Sequence, residues 1–427
     1  MRIAVIGTGI AGLVVARSLH QAGHELTIFE SGSHIGGHTN TIPVALAGRT
    51  YAVDTGFIVF NDWTYPNFIA LLNQLGVASQ PTTMSFSVRD ARSDLEYNGT
   101  SLNTLFAQRR NLLSPSFWRM IRDIMRFGRE APELLEGDDA TTTLGEYVAQ
   151  RGYSRQFVEH YLLPMGGAIW SAGTAAMRGF PARYFVQFFK NHGMLSLGAR
   201  PQWRVVAGGS WSYVKALVAP FRERIQLDTP VTAVTRDLDG VTVVAKERAE
   251  RFDHVVLGVH GDQALRLLRD PTAAERSVLS AFTYTRNDAV LHTDVSLMPH
   301  RRRAWAAWNY HLTGDESAPV PVTYDMNALQ GIDAPERFLV TLNPPAGIAE
   351  GRVLRRITYR HPHYTAAAVA AQQRWGEING VNRTWFCGAY WGYGFHEDGV
   401  VSALRVVERF GVGLTGRIGT GVVGSIA

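Results

Sequence analysis

The stretch Arg2-Ile3-Ala4-Val5-Ile6-Gly7-Thr8-Gly9-Ile10-Ala11-Gly12 decides the fold. Residues 2–6 are a nearly unbroken apolar run, the pattern of a strand buried on both faces of a parallel sheet. Residues 11–22 put Leu13, Ala16, Leu19 and Ala22 on one side of a predicted helix, and Gly23 ends it. A second apolar run over 25–29 closes at Glu30. Between strand and helix stands a G-x-G-x-x-G turn. Gly7 permits the tight bend, Gly9 lets backbone approach a pyrophosphate, and Gly12 lets helix and strand pack closely. The helix opening at Ile10-Ala11 offers free N–H groups and a dipole that favours an anion. Glu30, with Ser31 beside it, is placed to accept hydrogen bonds from a ribose. Together these features predict a dinucleotide site; the competing reading is a glycine-rich turn with no ligand.

The loop after the second strand carries Ser33-His34-Ile35-Gly36-Gly37-His38-Thr39, a second double glycine suited to wrapping a cofactor. Asp54-Thr55-Gly56 follows in a loop rich in small residues. Residues 386–403, from Phe386-Cys387-Gly388 to Glu397-Asp398-Gly399-Val400, read as a strand, a glycine–aromatic loop and a helix start. Such a helix N-terminus stabilises negative charge on the pyrimidine side of a reduced flavin. Midway, Val206-Ala207-Gly208-Gly209-Ser210 precedes a helix, Thr229-Pro230-Val231 opens a strand, and Asp253-His254-Val255-Val256-Leu257 is another strand.

In this order the segments resemble the flavin-containing amine oxidase and phytoene desaturase superfamily, over roughly residues 1–410. The resemblance implies an α/β fold with a Rossmann-like FAD-binding domain, FAD as cofactor, and FAD-dependent oxidoreductase activity. The positions assigned to the cofactor are Gly7, Gly9, Ile10, Ala11, Gly12, Glu30, Ser31, Gly36, Gly37, His38, Thr55, Gly56, Val231, Gly388, Glu397, Gly399 and Val400. More narrowly, residues 51–61, 305–310 and 392–399 resemble a bacterial subgroup whose genes stand beside cyclopropane-fatty-acid synthase-like methyltransferases. That implies hydride removal from an apolar, fatty acyl substrate and a lipid methyltransferase as partner; the alternatives are an amine oxidase and a non-catalytic flavin-bearing accessory protein of that methyltransferase. Two departures weaken simple amine oxidation. The family's "GGR" becomes Gly36-Gly37-His38, and its lysine near the flavin N5 falls within residues 287–292, where there is none.

On the substrate side, a flavin accepting hydride needs the substrate C–H held close and water excluded. His292, near the missing lysine, is a candidate base or water holder; the alternative is a hydrogen-bonded core histidine. Tyr310 ends an alternating run with Trp305, Trp308 and Asn309 that either lines a cavity or is ordinary β packing. His396 either contacts substrate or belongs to the scaffold of the flavin loop.

The chain has 427 residues, 46% of them hydrophobic and 19% charged, with a net charge of +5. This suffices for two packed domains and excludes global disorder. Lysine occurs only at 190, 215 and 246, so arginine carries most of the positive charge. The single cysteine, Cys387, excludes an internal disulfide and a cysteine zinc cluster, and no metal site is expected. No apolar run is long enough to span a bilayer. The expectation is a cytoplasmic protein with a small-molecule, lipid-like substrate and no nucleic-acid partner. Residues 117–129, with arginines 119, 122, 126 and 129, form a basic amphipathic helix that is a candidate for peripheral contact with the inner membrane face. The competing reading is a solvated arginine stripe. Residues 1–75, 205–270 and 375–412 are expected to form the cofactor domain. Residues 76–204 and 271–374 are expected to form an intervening α+β substrate domain. Residues 413–427 are read as a candidate disordered tail.

Overall fold

The computed structural model describes residues 1–412 apart from 138, 197, 199, 315–320 and 346. The expectation for the tail, 413–427, therefore lies outside the described residues.

A five-stranded, fully parallel sheet runs in the order Ile225–Gln226, Glu25–Phe29, Arg2–Ile6, His254–Leu257, Thr384–Phe386. Its strands come from three separated stretches of chain. Ile3, Val5, Ile28, Val255, Val256 and Phe386 are buried in one core with helix Ile10–Gln21. That double-sided burial explains why these strands read as continuous apolar runs rather than alternating ones. Helix His396–Arg409 packs beside helix Ile10–Gln21, and Gly399 makes the approach possible: a Cβ there would stand 2.7 Å from Ile10 Cγ2.

A seven-stranded mixed sheet faces this unit. Its order is Val353–His363, Thr283–His292, Leu339–Leu342, Val322–Asp325, Trp308–Leu312, Phe86–Asp90, Leu95–Asn98. Side chains alternate across it. One face carries Ala289, Leu291, Tyr310, Tyr324, Leu342 and Tyr359, packed on Val44, Val53 and Ile58 of the cofactor side. The other carries His292, Thr341, Thr323, His311 and Asn309 in a buried hydrogen-bonded row. A helical layer, including Pro115–Glu130, Leu144–Gln150 and Ala182–Asn191, closes around an aromatic core of Phe117, Phe127, Phe157, Phe185 and Phe189.

In the sequence, residues 101–130 read as helical and residues 303–312 as an alternating strand, and the structure differs at both. Residues 101–130 are not one helix but Leu102–Leu105, a tight turn at Arg109–Leu113, and Pro115–Glu130. Pro115 supplies no N–H to a preceding turn, and the Ser114 hydroxyl accepts from Phe117 N, so the chain restarts there. In residues 303–312 only Trp308–Leu312 is extended.

Candidate cofactor and substrate site

Three loops meet above the C-terminal ends of the parallel strands. Gly7 has φ +99°, and a Cβ there would lie 2.6 Å from the carbonyl oxygen of Gly258. No side chain caps helix Ile10–Gln21, and around Gly9 a Cβ would meet nothing within 4 Å. The helix N-terminus therefore opens on free space, as an anion site requires. Gly37 closes this space from the side, where its Cβ would be 3.1 Å from Gly9 Cα. The Gly36 N–H donates to Thr8 O at 3.1 Å, tying the second glycine pair to the first turn.

Glu30 stands where the ribose reading needs an acid. Its Oε2 accepts from the Thr8 N–H at 3.0 Å and the Thr8 hydroxyl at 2.5 Å, and its Oε1 accepts from the Gly32 N–H at 2.8 Å. Ser31 is exposed beside it. Thr229 N donates to Glu30 O at 2.8 Å, which brings the segment leading to Val231 against the same strand end. These residues fit a dinucleotide: an open helix N-terminus for the pyrophosphate, an acid and a strand backbone for the nucleoside.

The loop around Thr55 and Gly56 presses on the same region. A Cβ on Gly56 would stand 2.1 Å from His38 O, and the Thr55 hydroxyl donates to Asn40 O at 2.8 Å. The Tyr359 hydroxyl, from the facing sheet, lies 2.9 Å from the Thr55 hydroxyl, and its ring stands edge-on to His38 at 4.9 Å. Tyr359 thus marks the sheet face that looks at these loops.

At the C-terminal motif, Gly388 N donates to Ser402 Oγ at 2.9 Å, joining the strand end to the helix that follows. Gly399 and Val400 are buried against the first helix, so two helix N-termini converge on the space above Gly9. Glu397, predicted to touch the cofactor, is turned elsewhere. Its carboxylate accepts from Asn67 N, Asn67 Nδ2 and Phe68 N and so caps helix Pro66–Leu75. Burial raises its pKa despite these donors.

The three candidate substrate-side residues fall in different places. His292 occupies the face of the seven-stranded sheet opposite Tyr359. Its Nδ1 accepts from the Asp294 N–H at 3.1 Å, its Nε2 lies 2.7 Å from the Thr341 hydroxyl, and burial pushes its pKa to about 4. It is a neutral core histidine with its back to the cofactor side. Tyr310 lies on the cofactor-side face but is 2% exposed, with burial holding the phenol protonated. His396 stacks on Phe57 at 3.5 Å and bonds to Thr39 and Tyr213, with its pKa lowered by burial to about 3. It fixes the loop after Gly37 to the C-terminal helix. Among the described residues, no group of three or more His, Cys, Asp or Glu is arranged to hold a metal ion.

Residues 10–318 match the model of the flavin-containing amine oxidoreductases. The chain belongs to this family. FAD is accordingly its cofactor. The flavin-containing monoamine oxidase AofH of Mycobacterium tuberculosis is 25% identical over 287 residues, 63% of this chain and 59% of that relative. The chain thus spans under two thirds of that relative's length. The CLA-producing fatty acid isomerase from P. acnes superposes with a TM-score of 0.68 at 17% identity, covering 96% of this chain and 98% of that one. Cyclohexylamine oxidase from Brevibacterium oxydans does so with a TM-score of 0.66 at 15% identity, covering 96% and 99%. A fold shared with both an isomerase and an amine oxidase does not choose a substrate.

Sequence reasoning missed two further histidines near His38, namely His260 and His361. Nothing in their local sequence marks them; they meet only through the fold.

Proposed function

We propose that the protein is an FAD-dependent oxidoreductase whose substrate is an apolar, acyl-chain molecule. The observation that carries this reading is the cofactor-side face of the seven-stranded sheet. It carries Ala289, Leu291, Tyr310, Tyr324 and Tyr359, buried against Val44, Val53 and Ile58 with Trp308 partly buried among them, so the wall on this side is apolar and aromatic throughout. The carboxylates bordering it are already engaged. Asp54 accepts from Ser210 N, the Ser210 and Thr41 hydroxyls and Gln330 Nε2, while Asp325 pairs with Arg337 at 2.5 Å. An ammonium substrate would find no uncommitted partner in these two acids, whereas an alkyl chain needs none and is favoured by apolar surroundings. FAD supplies hydride acceptance; the chain's residues bind, orient and exclude water. Anaerobic titration of the FAD-loaded protein tests this. Unsaturated or methylated acyl lipids are expected to bleach the flavin band. Bleaching by primary amines and not by acyl lipids would sink the proposal in favour of amine oxidation.

An acyl-lipid substrate sits in a bilayer, and the surface of helix Pro115–Glu130 supports a docking role for it. Leu113, at the end of the turn before the helix, is 88% exposed, and Trp118 at 47% and Met125 at 50% are interspersed on the helix with the exposed Arg119 and Arg122. Apolar side chains flanked by arginine are the composition that lies in an anionic interface. No helix among the described residues is long and apolar enough to cross a membrane. The protein is expected to co-sediment with vesicles containing anionic phospholipid. Leu113→Ser combined with Trp118→Ser should weaken this by about tenfold, the equivalent of ~1.4 kcal/mol of lost apolar burial. Equal sedimentation of wild type and variant would remove the docking role from this helix.

A further inference from the structure

We infer that His38, His260 and His361 form a protonatable anion clamp that takes up protons as the cofactor's pyrophosphate arrives, in the place of a fixed cation. The inference rests on the FAD-binding reading and adds to it how the negative charge is met. Two of the imidazoles leave backbone segments pressed against the glycine turn. His38 follows Gly37, which touches Gly9. His260 follows Gly258 and Val259, whose atoms lie 2.6 and 3.0 Å from the Cβ position of Gly7. His361 reaches in from strand Val353–His363, with its ring 5.4 Å from that of His38, while the His260 ring is 6.2 Å from His38. All three side chains are half-buried at the meeting of the two sheets.

Their hydrogen bonding leaves capacity to spare. Asn287 Nδ2 lies 3.0 Å from His361 Nδ1, an arrangement that puts the His361 proton on Nε2. His260 Nδ1 is buried with no hydrogen-bond partner among the described residues. A buried ring nitrogen left unpaired is destabilising and calls for a partner outside the chain.

Without an anion the trio is neutral. Burial and mutual repulsion hold His38 well below the usual imidazole range, and burial holds His260 and His361 at about 4. Tyr284 stacks on His260 at 4.2 Å, Tyr359 stands against His38, and His396 adds repulsion to His38. Asp262 raises His260 slightly while Arg360 and Arg266 lower it, and the Asp262 carboxylate is itself paired with Arg266 at 2.8 Å. A pyrophosphate diester brings two negative charges and raises the pKa of any nearby imidazole. The bound state therefore holds more protons than the free state. Affinity is strongest at low pH, and it falls as pH rises from the free-state pKa of about 4 through the higher bound-state value.

The test titrates the full-length apoprotein with FAD and, separately, with ADP-ribose. The latter carries the same pyrophosphate diester without the isoalloxazine ring. Affinity is measured from about pH 5.5 to about pH 8.5, and calorimetry in buffers of different ionisation heat counts the protons taken up. Both ligands are expected to weaken with rising pH, by up to roughly tenfold per pH unit for each proton taken up. His38→Arg should flatten the profile and preserve tight binding at the alkaline end. His361→Gln should lower the proton count while leaving the far-ultraviolet circular dichroism unchanged. Binding of both ligands that is flat with pH and takes up no proton overturns the clamp. Uptake with FAD but not with ADP-ribose also overturns it, because the histidines would then answer to the ring. Failure to bind either ligand at any pH overturns the FAD reading, and the clamp with it.

Discussion

Gly9→Val is expected to give a folded protein that no longer retains FAD. Gly9 has φ −66° and ψ 169°, a conformation open to any residue, and its Cβ would touch nothing in the protein. The new side chain projects into the space above the helix N-terminus, where the pyrophosphate must come. Overpacking of this kind costs about 1–3 kcal/mol, so affinity should fall roughly 10- to 100-fold. Gly12→Ala makes the contrast. Its Cβ would sit 2.1 Å from Gly7 O, so helix and turn must separate, and stability as well as binding should be lost. The measurements are the flavin absorbance of the purified variants and the denaturant midpoints of their apoproteins. A Gly9→Val protein that purifies with stoichiometric FAD would show that the turn is not the pyrophosphate site.

The sequence made this turn legible because each of its requirements is local. Strand, glycine spacing, helix and acid fall within thirty residues, and each leaves its own mark. Other elements answer to distant partners. The hairpin Thr41–Leu46 and Arg49–Asp54 was hidden by Pro43, which argues against a strand yet is tolerated in this isolated two-stranded ladder. Strand Phe86–Asp90 carries Ser87 and Asp90, buried polar residues that are satisfied by Asn309, 222 residues later, and His160, 70 residues later. For His292 the alternation in the sequence was real, but alternation does not say which face looks at the cofactor. Glu397 has the acid character expected beside a flavin helix, yet its partners Asn67 and Phe68 lie about 330 positions earlier. Likewise His38 showed itself as a departure from arginine, whereas His260 and His361 became visible only when two distant loops and a strand met.

Arg236→Met is expected to cost about 3–5 kcal/mol of stability, a large share of what a domain has. The Arg236 side chain is 1% exposed, and that of Glu275 is wholly buried. Two guanidinium nitrogens donate to the two Glu275 oxygens at 2.8 and 2.9 Å, and the same group pairs with Asp270 and donates to Thr384 Oγ1. One side chain thereby joins strand Val231–Arg236, helix Ala273–Leu279 and strand Thr384–Phe386. Removing it strands a carboxylate where water cannot reach, which is why the single change is costly although the pair itself contributes little net energy. Adding Glu275→Leu should restore most of the loss. The remainder reflects Thr272 N, which donates to Glu275 at 2.7 Å and would lose its acceptor. Denaturant midpoints of the two single variants and the double variant form the cycle. A loss under about 1 kcal/mol for Arg236→Met would mean that water reaches Glu275. Because the joined strands lead into Val231 on one side and Gly388 on the other, the destabilised variant should also release FAD at a lower temperature than wild type. The double variant should recover retention in step with stability, since neither side chain lies in the cofactor space.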